Sequence, residues 1–318
     1  MQTKSLGTTG LSVPPLCFGG NVFGWTLNQD ESFALLDQMI DLGWTFIDTA
    51  DMYSRWAPGN QGGESETILG NWFASRGKRN KIVLTSKVGM DMGEGRKGLR
   101  AGYIVRAVED SLRRLQTDRI DLYQAHQDDP DTPQDETMEA FARLVNAGKV
   151  RALGASNFSA ARLASAQAVC RSAGLPTYQT LQPLYNLMER ASFEGELQSL
   201  CVNDDIAVLP YYSLASGFLS GKYRTAQDAG KSPRGPGIVD KYLNERGLRV
   251  LAALDTLAAE LGCSAGTVAI AWVMHQPAIA APIVSATNAA QLAELTAAAG
   301  VSLNAAALAR LDEASRPD

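Results

Sequence analysis

The stretch IDLYQAHQDDPDTPQDETMEAFARLVNAGKVRALGA, residues 120–155, decides the fold. It opens on Ile120–Ala125, a continuous run instead of an alternating one, which reads as a strand covered on both faces and hence as part of a parallel sheet. Gln134–Asn146 carries a helical pattern, and Gly148 stands just past it, where a left-handed cap residue belongs. A second strand follows at Arg151–Ala155. Strand, helix and parallel strand in this order require a right-handed crossover.

The same rhythm runs outward in both directions. Strands are expected near Leu16–Phe18, Thr45–Asp48 and Ile82–Ser86 on one side. On the other they are expected near Thr177–Leu181, Ala207–Pro210 and Ile279–Val284. Helical patterns fill Glu31–Leu42, Ser65–Ala74, Tyr103–Leu115, Ala160–Cys170 and Asn288–Ala298. Ser65-Glu66 brings an acidic residue to a helix start, and Ser159 is placed as an N-cap. Eight such units predict an α/β protein, a (β/α)8 TIM barrel, as one domain over residues 1–318. Thr3–Pro14, centred on Thr8-Thr9-Gly10, reads as an N-terminal β-hairpin that plugs the barrel bottom, and helices close the C-terminus. Lys222–Gly247, with Gly230, Pro233, Gly235, Pro236 and Gly237, lacks clear periodicity. A loop of this length after strand seven suggests a functional lid or a disordered segment.

Composition narrows the function. A net charge of -5 gives no electrostatic reason to expect nucleic acid or an anionic membrane as partner. Cys17, Cys170, Cys201 and Cys263 are widely spaced, without a C-x-x-C pair, which fits a reduced, cytoplasmic chain. Met1–Gly10 has no apolar leader core, and no apolar stretch reaches the length of a membrane span. Gly93-Glu94-Gly95-Arg96-Lys97-Gly98 matches a dinucleotide fingerprint in letters but starts too far beyond its strand. Gly217–Lys222 resembles a phosphate loop, but its glycines are too close together and Tyr223 stands where a magnesium-binding hydroxyl belongs. With His126 and His275 the only histidines, no metal site is expected.

The chemistry collects at strand ends, where reactive groups of a barrel stand. Read in order they are Asp48, Lys87, His126, Ser156-Asn157, Gln182, Tyr211 and Ser285, nearly all polar. Asp48, Lys87 and His126 end adjacent strands, and Tyr53 follows on the loop after Asp48. An ammonium lowers the pKa of a nearby phenol. Lys87 is therefore expected to make Tyr53 a usable acid, Asp48 to hold Lys87 charged, and His126 to donate a hydrogen bond to a carbonyl oxygen. Singly, Asp48 and Lys87 also read as a structural ion pair, His126 as a satisfied core histidine and Tyr53 as a rim aromatic. Their joint placement favours catalysis.

Phe46–Tyr53, Ser86-Lys87-Val88-Gly89, Asp121–His126 and Gly148–Asn157 resemble, in order and spacing, the signatures of the aldo-keto reductase superfamily. The likeness runs from Leu6-Gly7 to about Ser315. Gly62–Glu66 and Tyr212–Lys222 resemble the bacterial branch related to potassium-channel β subunits. The resemblance implies a catalytic tetrad of Asp48, Tyr53, Lys87 and His126, with Tyr53 as proton donor. It implies NADPH as cofactor, with NADH as the alternative, and reversible reduction of an aldehyde or ketone. Ser156, Asn157 and Gln182 would hold the nicotinamide carboxamide under a stacked Tyr211. Ser213, Leu214, Ser216, Gly217 and Lys222 would cradle the pyrophosphate, and Arg234 would clamp it. Ser285, Thr287, Gln291 and Glu294 would face the adenosine.

Two other functions compete with the reductase: a cofactor-binding regulatory subunit with little turnover, and a lyase or isomerase using Lys87 as a Schiff base. The expected partner is a small carbonyl compound, met by Trp25, Trp56, Gln127 and Asp128, in a monomer or homo-oligomer.

Overall fold

A computed structural model of the chain describes residues 1–232 and 234–317. The chain begins as an antiparallel hairpin, β1 (Lys4–Ser5) and β2 (Ser12–Val13), with Lys4 opposite Val13. It then alternates: β3 (Cys17–Gly19), α1 (Gln29–Asp41), β4 (Phe46–Asp48), α2 (Glu64–Arg76), β5 (Val83–Val88), α3 (Ala101–Leu115), β6 (Ile120–Ala125), α4 (Gln134–Asn146), β7 (Val150–Ser156), α5 (Ala160–Ala173), β8 (Thr180–Gln182), α6 (Glu196–Asn203) and β9 (Ala207–Val208). Helices α7 (Gly235–Tyr242), α8 (Glu245–Leu261) and α9 (Ala265–Met274) precede β10 (Ile283–Val284), and α10 (Ala289–Ala297) and α11 (Ala305–Ala314) end the chain.

The eight strands β3 to β10 form one parallel sheet in the order β10-β3-β4-β5-β6-β7-β8-β9. The ring closes between its two ends. Val208 N–H donates to Ala278 O (2.9 Å), Ala280 N–H to Val208 O (2.8 Å) and Ile283 N–H to Pro210 O (2.8 Å). The sheet curls because each strand twists and the register staggers. The predicted barrel, its hairpin and its C-terminal helices are all present.

Two layers fill the interior. At the bottom, Cys17, Phe46, Leu122, Ala152, Leu209 and Ile283 pack with Leu6, Leu11 and Val13 of the hairpin, which is the predicted plug. Above it the inward residues turn polar. Thr85 faces Asp48 in register, Lys87 faces Gln124, Gln124 faces Gly154, and Gly154 faces Thr180. Gly154 is forced by space, since a β-carbon there would lie 2.2 Å from Thr180 Oγ1 and 2.9 Å from Gln124 Cγ.

Helix boundaries follow local chemistry. Asn28 caps α1 in a capping box with Glu31, and Ser159 caps α5 by accepting from Arg162 N–H. Gly148 takes the left-handed conformation after α4 (φ 71°), as expected. Two expectations need correction. Strand β5 runs to Val88, so Lys87 lies inside a strand instead of just past one. Lys222–Gly247 is also not a structureless loop: it holds a 3-10 turn at Ala226–Lys231, helix α7 and the start of α8, while Pro233 lies outside the described residues. Helix α7 is eight residues long and opens on Gly235 and Pro236, which hides its periodicity while Pro near the helix start favours initiation.

The tight fit at Gly154 makes a direct test. Gly154→Ala should destabilise the barrel by about 1–3 kcal/mol, the usual cost of overpacking a filled interior. Urea unfolding monitored by circular dichroism should show a lower midpoint at unchanged slope.

Candidate active site

Asp48, Tyr53, Lys87 and His126 come together at the C-terminal end of the sheet. The Lys87 ammonium is fully buried and its three N–H groups are all used. They reach Asp48 Oδ2 at 2.6 Å, Tyr53 OH at 2.7 Å and Thr49 O at 2.9 Å. The Tyr53 hydroxyl donates in turn to Asp48 Oδ2 at 2.8 Å, and Gln182 Nε2 donates to Asp48 Oδ1 at 3.0 Å. His126 stands edge-on to Tyr53, with ring centroids 5.9 Å apart, and its Nδ1 is buried without a partner among the described residues.

The geometry follows from strand register. Alternate residues of one strand share a face, so Thr85 and Lys87 both point inward and the stagger carries the polar side chains upward around the ring. The β4–α2 loop is pinned from several sides. Thr49 N–H donates to Thr85 O at 2.9 Å, Ser65 Oγ to Gly20 O at 2.8 Å, and Ser54 Oγ to Phe23 O at 2.7 Å. This bracing sets Trp56 against the edge of Tyr53 (6.1 Å) and of Trp25 (5.5 Å).

Electrostatics corrects one expectation. The Tyr53 phenol is pushed well up, first by burial and then by the Asp48 carboxylate, instead of being lowered by Lys87. Burial pulls Lys87 below its ordinary value, against the opposing pull of Asp48. His126 is held well below the usual range by burial and by the Lys87 charge, so its imidazole is neutral. The phenol therefore keeps its proton across the neutral range, and Lys87 touches the oxygen on which charge would develop.

Beside this cluster the strand ends form a chain of polar contacts. Ser156 Oγ donates to Gln182 O (2.8 Å), Asn157 Nδ2 to His126 O (2.9 Å), and Tyr211 OH to Asn157 Oδ1 (2.8 Å). Farther along, Ala215, Ser216 and Gly217 take successive left-handed conformations (φ 47°, 59° and 98°), and a β-carbon on Gly217 would meet Lys222 Nζ at 3.4 Å. The Ala215 and Gly217 N–H groups already donate to Tyr212 O and Leu214 O, so the Lys222 ammonium is the group here suited to a phosphate, and a side chain on Gly217 would crowd it. The residues present thus fit a nicotinamide dinucleotide.

Other expected residues are placed differently. The Ser213 hydroxyl is spent on Pro210 O and Ile283 O, next to the half-buried Leu214. The Arg234 guanidinium lies over the ring of Trp25, a residue of the loop after β3, at 5.4 Å. Ser285 Oγ donates to Gly19 O and Asn21 Oδ1, Gln291 Oε1 accepts from the Thr287 N–H, and Glu294 is turned to the Ser264 hydroxyl at the start of α9. Asp128 is held bidentately by Arg162 at 2.7 and 2.9 Å and is occupied as an ion-pair partner, while Gln127 is exposed. Two further residues were not expected. Tyr212, half-exposed, is held at φ 54° by Asn186 Nδ2, which donates to its carbonyl, and Asp51 is buried behind the loop that carries Tyr53. Asn186 also caps its own turn by accepting from Met188 and Glu189 N–H, whereas the groups that bear on Asp51 come from other elements.

The model of the family described as "Aldo/keto reductase family" matches residues 15–316. The uncharacterized oxidoreductase YrpG of Bacillus subtilis is 35% identical over 320 residues, covering 98% of this chain and 95% of that protein. Aldo-keto reductase YhdN of the same organism is 33% identical, covering 96% and 90%. A probable voltage-gated potassium channel subunit beta of Oryza sativa subsp. japonica is 32% identical, covering 92% and 90%. With a matching family model over nearly the whole chain and relatives this similar along their full length, the protein belongs to the aldo/keto reductase family of oxidoreductases.

Proposed function

We propose that this chain is an NADP-dependent aldo-keto reductase that reversibly reduces aldehyde or ketone carbonyls to alcohols, as a single barrel domain over residues 1–318, with Tyr53 as general acid. The observation that carries this reading is the 2.7 Å contact between Lys87 Nζ and Tyr53 OH, with Asp48 Oδ2 accepting from both. NADPH, when bound, supplies the hydride to the carbonyl carbon. A carbonyl oxygen at the mouth replaces Asp48 as acceptor of the Tyr53 hydroxyl, and the proton passes from the phenol to that oxygen. The Lys87 ammonium stabilises the phenolate left behind, and Asp48 keeps Lys87 charged and aimed. Neutral His126 offers one ring N–H. An orphaned lone pair costs less than an orphaned N–H, so the tautomer with Nδ1 unprotonated and Nε2–H free to donate is favoured.

Ser156, Asn157 and Gln182 would hold the carboxamide, with Tyr211 on the ring. Lys222, beside the segment Ser213 to Gly217, would hold the pyrophosphate, with Arg234 reaching it from the Trp25 side. Ser285, Thr287, Gln291 and Glu294 would lie toward the adenosine. The cations Lys222 and Arg234 support NADPH over NADH. Trp25, Trp56 and Tyr212 would wall the substrate. Free cysteines throughout support a place in the cytoplasm. The likeness to a channel β subunit supports a second reading, a regulatory subunit that binds cofactor with little turnover; the same assay separates the two.

Tyr53→Phe should cut NADPH oxidation with an aldehyde panel by about 10²–10⁴-fold, the usual worth of a positioned acid. Cofactor affinity by fluorescence quenching should hold; full turnover in that variant would end the acid role. Because Tyr53 is pushed up, reduction should stay flat through neutrality and fall only at alkaline pH, while alcohol oxidation rises with pH; stopped-flow profiles in both directions check this. Arg234→Ala should weaken NADPH binding by about tenfold if the guanidinium meets phosphate, read by the same titration, and an unchanged affinity would remove Arg234 from the cofactor set.

A further inference from the structure

Behind the tetrad, on the side of its loop facing α2 and α3, lies a second set of buried polar groups. Glu66 of α2 is fully buried and fully committed: one oxygen accepts from Ser86 Oγ, the other from Arg114 Nε at 2.7 Å. Arg114 runs beneath Gly63, where a β-carbon would meet its Cδ at 2.5 Å. Asp51 is 2% exposed, and its backbone N–H donates to Lys87 O at 3.3 Å, which ties the loop to β5. Its Oδ1 has no hydrogen-bond partner among the described residues. The titratable and charged groups that bear on it are Glu66 from α2, Arg114 and Tyr103 from α3, Lys87 from β5 and Tyr123 from β6; Tyr103 in turn lies near Arg96 and Asp110.

The charges do not balance. With Asp48, Asp51 and Glu66 ionised against Lys87 and Arg114, three negative charges face two positive ones. With all three carboxyls buried and Arg114 partly exposed to water, such an excess favours retaining a proton on one of the acids. Asp48 and Glu66 have every oxygen bonded, so Asp51, with a free oxygen, is the place for that proton. We propose that Asp51 is a positioning residue for Lys87: it closes the back of the loop as a neutral acid and, on releasing its proton to solvent, holds Lys87 as an ammonium at alkaline pH. Burial and then the Glu66 charge push Asp51 up to about 8 against the pull of Arg114 and, more weakly, Lys87, and an ionised Asp51 adds to the stronger direct pull of Asp48 on the Lys87 ammonium. The titration of Asp51 stands independently of catalysis, whereas its effect on turnover rests on Tyr53 acting as the acid.

Carbon-13 NMR of the full chain, following aspartate carboxyl and lysine Cε resonances, tests the proposal. Asp51 should titrate near 8 in the wild type. In Asp51→Asn, Lys87 should lose its proton at lower pH, and the alkaline limb of reduction should move down with it by about 0.5–1 pH. Between the ordinary carboxylate value and about 8 only the folded state keeps the Asp51 proton, so the wild type loses stability as pH rises through that window. The variant lacks this loss, and its Tm should fall less from pH 5 to pH 9. Should Asp51→Asn not fold, Glu66→Gln removes the like charge and should lower the Asp51 midpoint. Titration of Asp51 in the ordinary carboxylate range, a Lys87 midpoint unmoved in Asp51→Asn, or an Asp51 midpoint unmoved in Glu66→Gln overturns the proposal. A shifted Lys87 midpoint without turnover in either protein leaves the positioning role standing and removes the reductase reading.

Discussion

The structure depends on an ammonium taken out of water. An unpaired charge at the position of Lys87 would cost several kcal/mol even after relaxation. It is tolerated because its three N–H groups meet a carboxylate, a carbonyl and a phenol. All three acceptors come from one short segment, Asp48 to Tyr53. The need to satisfy Lys87 therefore fixes that segment, and the ties from Thr85, Ser65 and Ser54 hold it there. The same contacts that make the burial tolerable bring a phenol to an ammonium at the open end of the barrel. Stability and chemistry thus share one set of bonds.

The two ends of the barrel divide the labour. Below, the hairpin residues Leu6, Leu11 and Val13 seal an apolar layer. Above, Thr85, Gln124 and Thr180 form a polar belt closed tightly over Gly154, and among the described residues Gln124 Oε1 and Thr180 Oγ1 have no partner. A belt with open valences beneath a reactive cluster is a place where stability is given up, as functional sites commonly do.

Much of this was legible in the residues alone. Continuous strands such as Ile120–Ala125 announce a parallel sheet, and polar residues closing successive strands announce a pocket. What stayed hidden was set by tertiary neighbours. The direction of the Tyr53 shift depends on how dry its surroundings are, and burial is not written in the sequence around it. Asp51 looks like any loop aspartate until Glu66 and Arg114, from two different helices, are brought against it. Arg234, expected by likeness to clamp the pyrophosphate, lies over the Trp25 ring, a contact between distant segments that the sequence does not announce. Ser213 shows the limit of reading by residue type: a hydroxyl suited to phosphate is used to stitch β9 to β10 through Pro210 O and Ile283 O.

That stitching has a wider consequence. β6 and β7 are six and seven residues long, whereas β9 and β10 are two each, and a few bonds around Val208, Pro210 and Ile283 complete the circle. The cylinder has a seam, and it runs through the half that carries α7 to α10 and the left-handed run at Ala215–Gly217. The wall bearing Lys87 and His126 therefore rests on long ladders of backbone bonds, and the opposite wall on few.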